Sequence, residues 1–202
     1  MGSDSMQILF ATSNQGKLSE ASGILGRIGY SITPLLVDGK PPIFIEPQSE
    51  KLEEVALEKL RQARQMVLGS ELEECPILVE DSGIFIDNLD GFPGVFSSFV
   101  EKKIGLSGIL SILSGQEDRG AEYRATCILG TKDGPLKSSG TCRGQISSEI
   151  SGNFGFGYDP IFIPDGGGGR TFGQMSSEEK ALLSHRGRAL KALSEVIIPP
   201  SK

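Results

Sequence analysis

The chain has 202 residues, enough for one ordinary domain with a real core, and its 38% apolar and 23% charged residues exclude wholesale disorder. Twenty Lys and Arg against 26 Asp and Glu leave a net charge of −6, which argues against a dedicated duplex-binding protein, because contacts along a phosphate backbone need a basic footprint. No apolar run approaches the ~18 residues that span a bilayer and no signal-peptide pattern opens the chain, so the expectation is a cytoplasmic protein that binds neither nucleic acid nor membrane and works on small molecules.

Met1 to Ser5, ahead of a second methionine, read as a vector-derived remnant, with Met6 the native start and residues 6–202 a single domain. Gln7 to Ala11 (QILFA) predicts a buried first strand. Thr12-Ser13-Asn14 supplies capping residues before a segment with Leu18, Ala21, Leu25 and Ile28 at helical spacing. Ser31 to Val37 predicts a second short strand, and Gly39 to Pro47 a proline-rich loop carrying Glu46. Over Glu50 to Leu68, the residues Leu52, Val55, Ala56, Leu60, Ala63 and Val67 share one helical face. Lys59 lies on that face and Glu58 does not.

Pro76 to Val79 is a continuous apolar run of the kind found in strands covered on both sides, and it is expected to finish at Glu80-Asp81-Ser82-Gly83. A loop through Asp87, Asp90, Gly91, Pro93 and Gly94 follows, then a helix from about Ile104 to Leu113. Glu122 to Gly130 and Leu136 to Ser148 predict two antiparallel strands around the turn Lys132-Asp133-Gly134-Pro135. Gly152 to Pro160 and Asp165 to Arg170 are glycine-rich loops. Ser176-Ser177-Glu178-Glu179 has the spacing of a capping box and opens a helix that runs to about Val196 with a break near Ser184. Early crossovers and a late hairpin imply a mixed sheet, hence an α/β fold.

Counting removes several chemistries. Cys75, Cys127 and Cys142 are odd in number and lack a CxxC spacing, so neither a disulfide framework nor a zinc site is legible, and a reducing compartment fits. His185 is the only histidine and no G-x-S-x-G elbow is present. The Walker and GxGxxG patterns are missing as well. What remains is carboxylates and cations. Glu46, Glu50, Glu80 and Asp81 are hard oxygen donors of the kind that hold Mg2+ while substrate phosphates and water complete its shell. Glu80-Asp81 sits where open α/β sheets bind ligands, although acidic residues at strand ends are also ordinary solvated loop residues. Lys17 lies in the first turn of a predicted helix, a seat for phosphate, or is a plain surface lysine. Lys59, on an apolar face, either snorkels to the edge or meets an anion. Phe156 and Tyr158, followed by Asp159, offer rings to stack on and a carboxylate to accept N–H groups, as purine recognition requires, or they cap the core. His185-Arg186 offers donors for a keto oxygen, or is an ordinary polar pair.

Taken in order, Thr12-Ser13-Asn14-Gln15-Gly16-Lys17, Glu80-Asp81-Ser82-Gly83, Gly91-Phe92-Pro93-Gly94, Phe156-Gly157-Tyr158-Asp159-Pro160 and Glu179-Lys180 with Ser184-His185-Arg186 resemble the inosine triphosphate pyrophosphatases, the Ham1-like pyrophosphatases of non-canonical purine nucleoside triphosphates. The resemblance implies an elongated mixed sheet with flanking helices in two lobes around a central cleft. It implies Mg2+-dependent hydrolysis of ITP, dITP and XTP to the monophosphate and pyrophosphate by a cytoplasmic homodimer. It assigns Thr12, Ser13, Asn14, Gln15, Gly16 and Lys17 to the phosphates, with Lys59 as the lysine of the second helix. Glu46 and Asp81 would hold the metal, Asp81 also serving as catalytic base, and Ser82 would contact substrate. Phe156 would stack on the base, Gly157, Tyr158 and Asp159 would help bind it, and Lys180, His185 and Arg186 would complete the nucleotide site. Competing readings are a pyrophosphatase for other modified nucleotides and a non-catalytic nucleotide-binding protein. A two-carboxylate glycosidase explains neither the lysines nor the aromatic loop.

Overall fold

The structure of the protein, a computed structural model, describes residues 6–197. The remnant expected at residues 1–5 and the last five residues of the domain expected over 6–202 lie outside them. Strand β1 (Met6–Phe10) leads into helix α1 (Gln15–Leu25), whose N-cap Asn14 accepts from the Lys17 N–H as the capping pattern requires. Strand β2 (Tyr30–Pro34) runs parallel to β1. Helix α2 (Leu52–Val67) buries the six apolar residues that its periodicity selects, each large side chain contributing roughly 1.5–3 kcal/mol by leaving water.

Strand β3 (Ile77–Ile86) corrects one expectation. The apolar run does not stop at Glu80-Asp81; the strand continues five residues past Asp81, to Ile86. It can do so because Gly83 lets the backbone of strand β4 (Pro93–Gly94) come close, and a Cβ at Gly83 would stand 2.0 Å from the Gly94 carbonyl oxygen. β4 pairs antiparallel with Ile84 and Phe85, and the Ser97 hydroxyl accepts from the Ile84 N–H. Helix α3 (Ser97–Ile112) starts well before the expected Ile104 and is interrupted at Gly105, which takes φ 67°. Strands β5 (Gly120–Thr131) and β6 (Gly134–Ile146) flank the Lys132-Asp133 turn, and the short β7 (Phe162–Pro164) pairs antiparallel with β6. The break at Ser184 separates α4 (Ser177–Leu183), capped by the Ser176–Glu179 box, from α5 (His185–Val196). The strands hydrogen-bond in the order β2-β1-β3-β5-β6-β7 with β4 on β3, a mixed sheet with flanking helices.

The chain folds as two compact units. The first holds the described residues up to Asp81, then Thr126–Ser139 and the described residues from Ala189. Its core includes Leu9, Leu35, Ala56, Leu60, Ile77, Val79 and Ile128. Arg64 closes it by donating to the carbonyls of Glu73, Cys75 and Gly130. The second unit holds Ser82–Ala125 and Gly140–Arg188, with Ile84, Ile109, Tyr123, Ile146, Phe162 and Phe172 in its core. There Arg119 donates to the carbonyls of Leu113, Ile146 and Ser147. No helix among the described residues is long and apolar enough to cross a membrane.

Candidate active site

In the first unit, β1 ends at Phe10 while β3, paired parallel to it, runs on and carries Glu80 and Asp81 beyond its neighbour. The carboxylates therefore sit past the carboxyl end of β1, where α/β sheets leave room for ligands. The α1 N-terminus follows β1 directly. Thr12 and Asn14 fold the turn, the Thr12 hydroxyl accepting from the Asn14 N–H at 3.1 Å, and this brings Lys17 to Glu80 at 2.7 Å. From α2, the Lys59 ammonium reaches Asp81 Oδ1 at 2.6 Å and Glu46 Oε1 at 2.8 Å, so one cation holds both carboxylates expected to bind metal. Glu58 points the other way, to Arg61 and Gln62. Gln62 in turn binds the Ile45 N–H and carbonyl and anchors the loop that presents Glu46. Glu50 is exposed.

Asp81 is buried at 7% exposure, and its Oδ2 has no hydrogen-bond partner among the described residues. Burial pushes its carboxyl above the ordinary value; Lys59 and Lys17 oppose that shift and Glu80 adds to it. For Lys59, burial works against the charge, but Asp81 and Glu46 outweigh it and the ammonium titrates above an ordinary lysine. An unfilled carboxylate oxygen beside a second carboxylate is a donor set that fits Mg2+. Among the described residues no three His, Cys, Asp or Glu are gathered into a cage, so water and phosphate oxygens would supply the rest of the shell.

The second unit opens at Ser82, the residue after Asp81, whose hydroxyl lies 3.3 Å from Arg186 Nη2. The glycine-rich loop turns back through Gly155 and Gly157, both at positive φ, and Asp159 Oδ2 accepts from the Phe156 N–H and from Lys180 Nζ, each at 2.7 Å. A Cβ at Gly155 would strike that carboxylate at 2.1 Å. Lys180 Nζ lies 4.4 Å from the Phe156 ring centroid and the Arg186 guanidinium 5.2 Å. A half-buried ring with two cations against it thus has its backbone fixed by the Asp159 carboxylate. Burial raises the Asp159 carboxyl, against the pull of Lys180, Phe156 N–H and Arg186. His185 and Arg186 are 3% and 2% exposed at the start of α5.

Tyr158 is placed differently from its neighbours: it is 3% exposed and its hydroxyl donates to the Ser97 carbonyl, so that group serves the fold. Two residues of these clusters belong to no sequence motif, Gln62 and Tyr123. Tyr123 stacks on His185, and its only signal is an inward position on β5.

The model of the Ham1 family matches residues 8–196. A dITP/XTP pyrophosphatase of Pyrococcus horikoshii is 45% identical over 190 residues, covering 94% of this chain and 96% of that protein. One of Methanopyrus kandleri is 42% identical over 193 residues, covering 94% and 95%. Among solved structures, a HAM1 protein from Coxiella burnetii superimposes with a TM-score of 0.77 at 31% identity, over 95% of this chain and 98% of that one.

Proposed function

Because the chain belongs to the Ham1 family, we propose that it is a Mg2+-dependent pyrophosphatase that hydrolyses the non-canonical purine nucleotides ITP, dITP and XTP to the monophosphate and pyrophosphate. The observation that carries this reading is the buried Asp81, paired to Lys59 through one oxygen and unfilled at the other, in a chain closely similar to two dITP/XTP pyrophosphatases.

The triphosphate meets the N-terminus of α1, where Thr12 to Lys17 supply backbone N–H groups and one ammonium, and Lys59 adds a second. Water attacks the α-phosphorus in line; its oxygen forms the new P–O bond, the bridging bond to the β-phosphate breaks, and pyrophosphate leaves. Asp81 orients the water and accepts its proton. Mg2+ held by Asp81 and Glu46 would neutralise charge on the phosphate oxygens. Lys17 and Lys59 stabilise the charge that develops on the leaving group, and no covalent intermediate is needed.

Phe156 stacks on the base, with Asp159 holding both the ring's backbone and Lys180 in place. Lys180, His185 and Arg186 present donors to a 6-keto oxygen. A 6-amino group brings a donor to the same place, leaving buried donors unpaired, which is strong discrimination. The same reading takes the enzyme to be a cytoplasmic homodimer without nucleic-acid or membrane partners; the free cysteines suit a reducing compartment and the acidic charge balance argues against a nucleic-acid partner, while the dimer follows from the family resemblance alone.

The test is a product assay with Mg2+ on ITP, dITP, XTP, GTP, ATP and CTP separately, resolving pyrophosphate from orthophosphate. Pyrophosphate and monophosphate from the inosine and xanthine nucleotides, with little from ATP, GTP or CTP, is the expected result. Orthophosphate moves attack to the γ-phosphorus and discards the mechanism; binding without product makes the protein a nucleotide-binding one.

A further inference from the structure

The phenol of Tyr123 and the imidazole of His185 lie face to face, centroids 4.4 Å apart and planes within 2° of parallel. Apolar burial is non-directional, whereas a parallel stack fixes the plane of each ring. Tyr123 is itself held. Phe162 meets it edge-on at 4.8 Å and 72°, and Phe172 lies tilted at 6.4 Å. Phe162 and Phe172 are fully buried and Tyr123 is 7% exposed. The same aromatic wall reaches the base cluster a second time, since Lys180 Nζ lies 5.7 Å from the Phe172 ring and 4.4 Å from the Phe156 ring.

We propose that Tyr123 is a positioning residue for base selection: its ring holds the His185 imidazole in the one plane from which an edge N–H meets the 6-keto oxygen of a purine. Tyr123 acts through His185 and touches no substrate. The proposal rests on the reading that places His185 in the base site. Apolar bulk at position 123 cannot replace the function; a flat ring can.

His185 is the only histidine, so its ring protons can be followed by NMR without assignment by mutation. In the wild-type protein they are expected upfield of free histidine, because they lie over the phenol, and IMP is expected to move them again. Tyr123→Phe keeps the upfield position and Tyr123→Leu loses it. The ratio of kcat/KM for ITP over ATP falls about tenfold in Tyr123→Leu, chiefly through KM, and by less than about twofold in Tyr123→Phe. Unstacked histidine resonances in the wild type overturn the proposal even if Tyr123→Leu does not fold. An unchanged ratio in a folded Tyr123→Leu overturns it too, as does a Tyr123→Phe loss equal to that of Tyr123→Leu, which would make the hydroxyl the active part. His185→Gln separates the two layers. If it leaves the ratio intact, the base-site reading of His185 fails and the proposal falls with it; if it lowers the ratio while Tyr123→Leu does not, only the positioning role fails.

Discussion

Lys59 and Lys180 each reach a carboxylate at hydrogen-bond distance, 2.6 Å to Asp81 and 2.7 Å to Asp159, yet the two pairs are built for opposite ends. Lys59 is shared with Glu46, whose side chain is 57% exposed, and Asp81 keeps one oxygen unfilled. A metal ion on the carboxylates together with a phosphate on the ammonium can take that pair apart and leave every charge compensated. Lys180 is sealed: its side chain is 6% exposed, its Asp159 partner 3%, and Phe156 and Phe172 lie against the ammonium. Separating it would strand a desolvated charge, which is costly. On the proposed reading, the first unit's pair is the exchangeable one, suited to ligands that arrive charged, and the second's is fixed, suited to holding a ring and donors in place for a neutral base.

Three substitutions sharpen or break this contrast. Asp81→Asn keeps the shape of the exchangeable pair and removes its charge and basicity; turnover of ITP should fall by about 10³-fold or more while the thermal melt barely moves. Near-normal pyrophosphate release would end the role given to Asp81. Asp159→Ala strikes the sealed pair, leaving Lys180 buried and uncompensated and the Phe156 N–H without its acceptor, so unfolding in denaturant should show a loss of about 3–5 kcal/mol. A loss under about 1 kcal/mol, the range of exposed pairs, would erase the distinction between the two lysines. Phe156→Ala removes the ring and leaves the ions; KM for ITP should rise by the equivalent of about 1–3 kcal/mol with kcat less affected. An unchanged KM would make Phe156 a packing residue.

Much of this arrangement is legible in the chain, and the exceptions have physical causes. The α2 face could be read because amphipathic periodicity reports directly on which side of a helix is buried, and the same periodicity turned Lys59 inward and Glu58 out. The end of β3 could not, since Ser82-Gly83 looks like a turn until the close approach of Gly94 is known. The first half of α3 lacks a clear apolar stripe and ends at Gly105, so only its second half stood out. For the candidate site, Lys17, Asp81 and Phe156 stand out in the sequence through the family resemblance, since a lysine in a first turn or a ring in a glycine-rich loop is equally an ordinary structural residue, and their partnerships are not legible at all. That Lys59 bridges Glu46 and Asp81, or that Tyr123 lies flat on His185, depends on elements far apart in sequence.

The division into two units is interleaved along the chain, and this bears on how the protein is made. The first unit begins at the N-terminal strand but needs Thr126–Ser139 and the segment from Ala189, where Ala189, Leu190 and Leu193 are buried. The second needs nothing beyond Arg188. During synthesis, therefore, the unit that starts second has all its residues first, while the unit that carries Lys17, Lys59 and Asp81 is still short of its last segment. A chain ending at Arg188 would hold every residue of the second unit and still lack the buried Ala189, Leu190 and Leu193 of the first, the reverse of the usual order in which the N-terminal unit is completed first.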